Sequence, residues 1–127
     1  MAITANTFTI TTLPNDGVLF YRSLQSEDVS GGEEIIAAVA GATHYLTRLQ
    51  VRADAVMDLT IGSGETTSAV TTVHFGPVPL TADTGYFYWE APPGFGLKCT
   101  AATAVVIDGS AGTIWIEAHG KTCKNVA

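Results

Sequence analysis

Three histidines, His44, His74 and His119, are the residues of this chain best suited to gripping a metal, but their placement does not serve one. A cupin-type barrel wants a His-x-His pair on one strand, followed shortly by a glutamate, because that parity aims the rings inward; no His-x-His occurs. His74, inside Thr72-Val73-His74-Phe75-Gly76, sits beside an apolar face and reads as structural. Paired carboxylates do acid–base work when burial splits their pKa values. Asp54 with Asp58, and Glu33 with Glu34, lie instead beside expected turns, where solvated acids are the rule. Ser23, Ser26, Ser30, Ser63, Ser68 and Ser110 lack the Gly-x-Ser-x-Gly elbow of a hydrolase. Gly62-Ser63-Gly64 is too short, and on the wrong kind of connection, for a phosphate loop. The reading is no enzyme, no metal and no cofactor.

Cys99 and Cys123 are the two cysteines, too few and too far apart for a metal centre. They flank an expected final hairpin in which 99–108 and 114–122 pair about Ala111, setting the two opposite each other. A bridge there would close a loop of ~25 residues and contribute roughly 3 kcal/mol in the chain-entropy model. Synthesis in a cytoplasm favours free thiols instead, and both alternatives stay open. The aromatic run Tyr86-Phe87-Tyr88-Trp89 carries more information. Alternation puts Phe87 and Trp89 on one face and Tyr86 and Tyr88 on the other. One pair fills a core, and the other is available for contact with protein, or with sugar.

These residues need elements to position them. His44 to Ile61 reads as two successive strands, His44–Ala53 and Val56–Ile61, each alternating apolar with polar side chains. Period two is the mark of a sheet with one buried and one wet face. One parity of the first strand holds Tyr45, Thr47, Leu49, Val51 and Ala53, the other Leu46, Arg48, Gln50 and Arg52. Further strands are expected at Thr7–Leu13, Val18–Gln25, Thr66–Phe75, Tyr86–Trp89, Leu97–Ile107 and Thr113–Ala118. Glu33–Ala40 is expected to form a strand or a single helical turn, and Gly76-Pro77-Val78-Pro79 to break the ladder. Eight or nine short strands with turn signals every ~8–12 residues specify an all-β antiparallel sandwich of a single domain over residues 1–127. A jelly roll leads; an immunoglobulin-like sandwich, which wants a tryptophan between two distant cysteines, is the alternative.

Hydrophobic residues make up 46% and charged residues only 14% of the 127 residues, a shortage that suits a surface covered by neighbouring subunits. A net charge of −6 with six scattered cations argues against nucleic acid and anionic membrane surfaces. No basic, apolar leader is visible at the start, and no apolar run approaches the ~18 residues of a spanning helix, so a soluble product made in a cytoplasm is expected.

From Val39 to Ala118 the order of features resembles small bacteriophage virion proteins of the jelly-roll type, the head decoration or cement proteins. The residues that carry the resemblance are Val39-Ala40-Gly41, the alternating Leu49, Val51 and Ala53, and Leu59-Thr60-Ile61-Gly62-Ser63-Gly64. Phe75-Gly76-Pro77, Pro93-Gly94-Phe95 and Ile114-Trp115-Ile116 complete it, over about two thirds of the chain. The resemblance implies a homotrimer on the outer surface of an icosahedral phage head, with the major capsid protein as partner. It implies too that residues 1–13 form an N-terminal arm touching capsid or a neighbouring subunit. Phe8 and Ile10 in that arm, with Tyr86 and Tyr88, are the expected interface residues. A receptor- or glycan-binding domain of a tail or head fibre is the alternative reading, and a small cupin-like enzyme the third.

Overall fold

Alternating strands leave the chain two amphipathic sheets whose apolar faces meet. A computed structural model describes residues 9–27, 29, 32–64, 70–80, 85–109 and 112–125, and among them ten strands and two antiparallel sheets. The strands are β1 (Ile10–Thr12), β2 (Val18–Ser26), β3 (Glu33–Ile36), β4 (Ala42–Ala53) and β5 (Met57–Gly64). They continue with β6 (Thr72–Leu80), β7 (Tyr86–Glu90), β8 (Phe95–Lys98), β9 (Ala104–Gly109) and β10 (Ile114–Lys124). The first sheet runs β1-β8-β4-β10-β2, with β7 also on β4; the second runs β3-β9-β5-β6. β7 and β8 are two halves of one strand, bent apart at Ala91-Pro92-Pro93-Gly94, so that both line the same flank of β4. Counted from β2 with those halves joined, the order is two interleaved Greek keys: a jelly-roll sandwich.

Between the sheets, Leu46, Leu49 and Val51 of β4, with Ile114 and Ile116 of β10 beside them, pack against Leu59 and Ile61 of β5 and Val105 and Ile107 of β9. Each fully buried side chain of this size contributes about 1.5–3 kcal/mol. Phe75 meets Phe87 at 5.4 Å and Trp89 at 5.2 Å between ring centroids, sealing the flank where β6 approaches β7. The division of the aromatic run is as expected, with Phe87 and Trp89 inward.

Several expectations are corrected. The final hairpin does not form: β9 pairs with β3 and β5, whereas β10 pairs with β2 and β4 in the other sheet. Cys99 donates its N–H to the His44 carbonyl on one side of β4, and Cys123 sits opposite Thr43 on the other. Two strand spacings of about 4.8 Å separate them, more than the ~7 Å that a disulfide tolerates between Cα atoms. Both are free, buried thiols.

The Gly76–Pro79 segment does not break its strand. β6 runs through it as the outermost strand of its sheet, with a cis Gly76–Pro77 bond, because an edge strand has no ladder partner for the missing N–H groups. β5 likewise continues through Gly62 to Gly64, and a Cβ on Gly62 would run into the Thr72 carbonyl. The parity of β4 flips once. A register shift between His119 and Gly120 lets Leu46, rather than Tyr45, join Leu49 in the core. Of Glu33–Ala40 only the first half is strand.

From the N-terminal arm, Phe8 lies outside the described residues. Ile10 belongs to β1, which pairs with β8, supported by Lys98 N–H to Thr9 and Leu13 N–H to Gly94. After β1, residues 13–17 strap across the outside of the first sheet to reach β2. Lys121 Nζ donates to the Pro14 carbonyl at 2.6 Å, and Cys123 Sγ lies 3.1 Å from the Asp16 carbonyl. Gly17 is at φ +121°, and a Cβ there would strike Cys123 and the Thr122 carbonyl, so the strap needs glycine. Burial beneath the strap raises the pKa of both Tyr45 and Cys123.

Candidate interaction face

The registers of β7, β4, β10 and β2 fix what the outside of the first sheet displays. One row across it reads Tyr86, Arg52, Trp115, Gln25; the next Tyr88, Gln50, Glu117, Ser23; the third Glu90, Arg48, His119, Tyr21. Along β4, β7 and β10 these residues alternate with inward-facing ones, so the strand pattern that fills the core also builds this surface.

The side chains are organised. Tyr86 and Tyr88 stack at 6.5 Å with planes 2° apart. The Arg48 guanidinium lies 5.4 Å from the Tyr88 ring centre and Arg52 4.8 Å from that of Trp115, both within cation–π range. Tyr21 meets His119 edge-on at 4.5 Å and donates its hydroxyl to Glu117 at 3.3 Å. Tyr88 donates to Glu90, and that hydrogen bond raises the pKa of the phenol. Arg48 Nε is buried without a partner among the described residues. Tyr86 is 52%, Tyr21 55% and Leu19 78% exposed, values that leave much of the apolar area in water. A shallow cleft of about 300 Å³ runs between the first two rows, and clefts of about 260 and 330 Å³ border the third beside Thr47. Exposed Tyr, Trp and Arg on a rigid sheet are the residue types that dominate contact energy between proteins.

The groups able to do chemistry are used internally. Ser63 and His74 share a 2.8 Å hydrogen bond, but both are buried, and Ser63 Oγ also accepts the Thr100 N–H. Cys99 is pushed up to about 12 by burial, so its thiolate is suppressed. His44 donates Nε2–H to the Ala37 carbonyl and pairs Nδ1 with the Thr122 hydroxyl. No cluster of three His, Cys, Asp or Glu suited to a metal occurs among the described residues.

Of the expected interface residues, Tyr86 and Tyr88 lie on this face and Ile10 on an edge strand of the same sheet. Arg48, Arg52, Trp115, His119 and Tyr21 were not anticipated as part of it. Their signal is present in the polar parity of each strand, but uniting them requires the pairing of β4 with β7 and β10. No protein-family model matches the chain, and no curated protein is significantly similar to it.

Proposed function

We propose that the protein is a structural, non-enzymatic virion component: a decoration or cement protein that binds the outer surface of an icosahedral phage head as a homotrimer and reinforces it. The observation that carries this reading is the exposed Tyr, Trp and Arg platform across one whole sheet. The jelly-roll sandwich supports it, as does a charged fraction of only 14%. On this reading the protein is made in the host cytoplasm and resides on the virion, with the major capsid protein as partner. A ligand that binds only the assembled shell stabilises it by mass action, so modest contacts add up over many copies.

The test takes phage heads stripped of the protein, adds it back, and measures co-sedimentation and the temperature of shell rupture. Added protein should sediment with the heads and raise the rupture temperature; equal rupture temperatures end the proposal. The stacked Tyr86–Tyr88 pair also favours a second reading, a glycan-binding domain of a tail or head fibre, because sugar rings pack on aromatic planes. Binding on a glycan array that Tyr88→Ala abolishes would select that reading.

A further inference from the structure

All six cations lie on strands of the first sheet, and three of them, Lys98, Lys121 and Lys124, gather where β8 and β10 finish and β4 begins. Tyr45 is at the centre of this group. The register sets it between Lys98 on β8 and Lys121 on β10, so the three share one row across the sheet. Lys121 is committed, because its Nζ donates to the Pro14 carbonyl and holds the strap. Lys98 and Lys124 are exposed, and neither side chain makes an ion pair or hydrogen bond among the described residues.

The strap, the start of β4, the β8–β9 connection and the end of β10 border a cleft of about 370 Å³. Its wall carries Asp16, Thr43, Tyr45, Lys98, Lys124 and Asn125. Tyr45 is only 8% exposed, yet its hydroxyl has no hydrogen-bond partner among the described residues. A phenol buried to this degree ordinarily finds one, because leaving the bond unmade is costly. Unlike Arg48 Nε, this hydroxyl is not sealed from solvent, and its open side is the cleft. Burial, with Cys123 and Asp16 nearby, raises the pKa of the phenol, so it stays a donor at neutral pH. Asn125 Oδ1 accepts from the Thr43 hydroxyl, which leaves the amide NH2 as a further donor.

We infer that this cleft binds a small oxyanion, a phosphate or a carboxylate, with Lys98 and Lys124 supplying charge and the Tyr45 O–H a buried hydrogen bond. The ligand class follows from the wall. Lys98, Lys124, Tyr45 and Asn125 all donate, and the ionised groups stand at two cations to one carboxylate. A cationic ligand would be opposed by both lysines, and an uncharged one would leave them without counter-charge. Hydrogen bonds from such donors to ionised oxygen are the strong kind. Asp16 is the acceptor left for a hydroxyl on the same ligand, as in hydrogen phosphate or a hydroxy acid. The site lies apart from the aromatic–arginine rows, and its presence or absence leaves the decoration reading untouched.

Calorimetric titration and thermal unfolding of the full-length chain test it, with inorganic phosphate and citrate compared against sodium chloride at matched ionic strength. Wild type should bind one of the two oxyanions saturably, at a single site per chain, and its Tm should climb with that anion and not with chloride. Tyr45→Phe deletes only an unpartnered hydroxyl, so without anion it should be as stable as wild type, yet it should bind roughly tenfold more weakly. Lys98→Gln/Lys124→Gln should lose at least as much affinity while keeping its far-UV spectrum. No saturable binding of either oxyanion, or an equal response to chloride, overturns the site. Affinity unchanged in either variant marks an adventitious ion only and overturns it too. So does a loss of stability in anion-free Tyr45→Phe, which would mean that the hydroxyl is already satisfied within the fold.

Discussion

Cys99 offers a quantitative check on the packing of this sandwich. It is 2% exposed, and its pKa is pushed from 9.0 to about 12, chiefly by burial, with a hydrogen bond to Ser63 acting the other way. The unfolded chain loses this proton near 9.0 while the folded chain keeps it to about 12. The folded state therefore binds more protons across that window, and stability must fall as pH rises through it. Each pH unit is worth roughly 1.4 kcal/mol, so the loss from this one thiol is on the order of 3 kcal/mol by pH 11. Tyr45 and Cys123 are also raised and act in the same direction, so wild type should lose more than that. Urea unfolding at pH 8 and pH 11, for wild type and Cys99→Ala, isolates the contribution of Cys99. The cost of the cavity in the variant appears at both pH values and cancels. The variant should lose roughly 2–3 kcal/mol less than wild type between the two. Equal losses would refute the claim that the sheets seal this thiol from water. The same burial leaves a thiolate fraction on the order of 10⁻⁴ at pH 8, so a thiol reagent should titrate Cys99 only after denaturant is added.

Three other outcomes are expected. Leu49→Ala, at a fully buried position between the sheets, should cost about 3–4 kcal/mol in a urea melt. Ser63→Ala removes the partner of the Thr100 N–H and of His74 in a dry site, and should cost roughly 1–3 kcal/mol by the same measurement. Gly120→Ala should yield little folded protein by circular dichroism, because a Cβ there would collide with the Tyr45 carbonyl and the Phe20 ring at the register shift.

Much of the fold was legible in local pattern. Alternation located β4 and β5, and it separated Phe87 and Trp89 from Tyr86 and Tyr88, because a strand sends successive side chains to opposite faces wherever it lies. The face of a residue is therefore a local property. The identity of a strand's neighbour is not, and the error at 99–122 shows why. β9 and β10 are consecutive and both β-rich, yet their connection crosses from one sheet to the other; Cys99 follows β8 on one flank of β4, and Cys123 lies on β10 at the other. Proline at 77 and 79 signalled a break, but the position of β6 at the edge of its sheet made those residues harmless.

The same distinction governs the interaction face. From the sequence alone follow an all-β sandwich, a scarcity of charge and a pair of outward tyrosines, since composition and period two suffice for each. Only tertiary structure brought Arg48, Arg52, Trp115, His119 and Tyr21 beside those tyrosines, and only it sorted the cations onto one sheet. The residues of one row come from strands as far apart in the chain as 21 and 119. What joins them is hydrogen-bond registry between backbones, which side-chain pattern within a single strand does not encode.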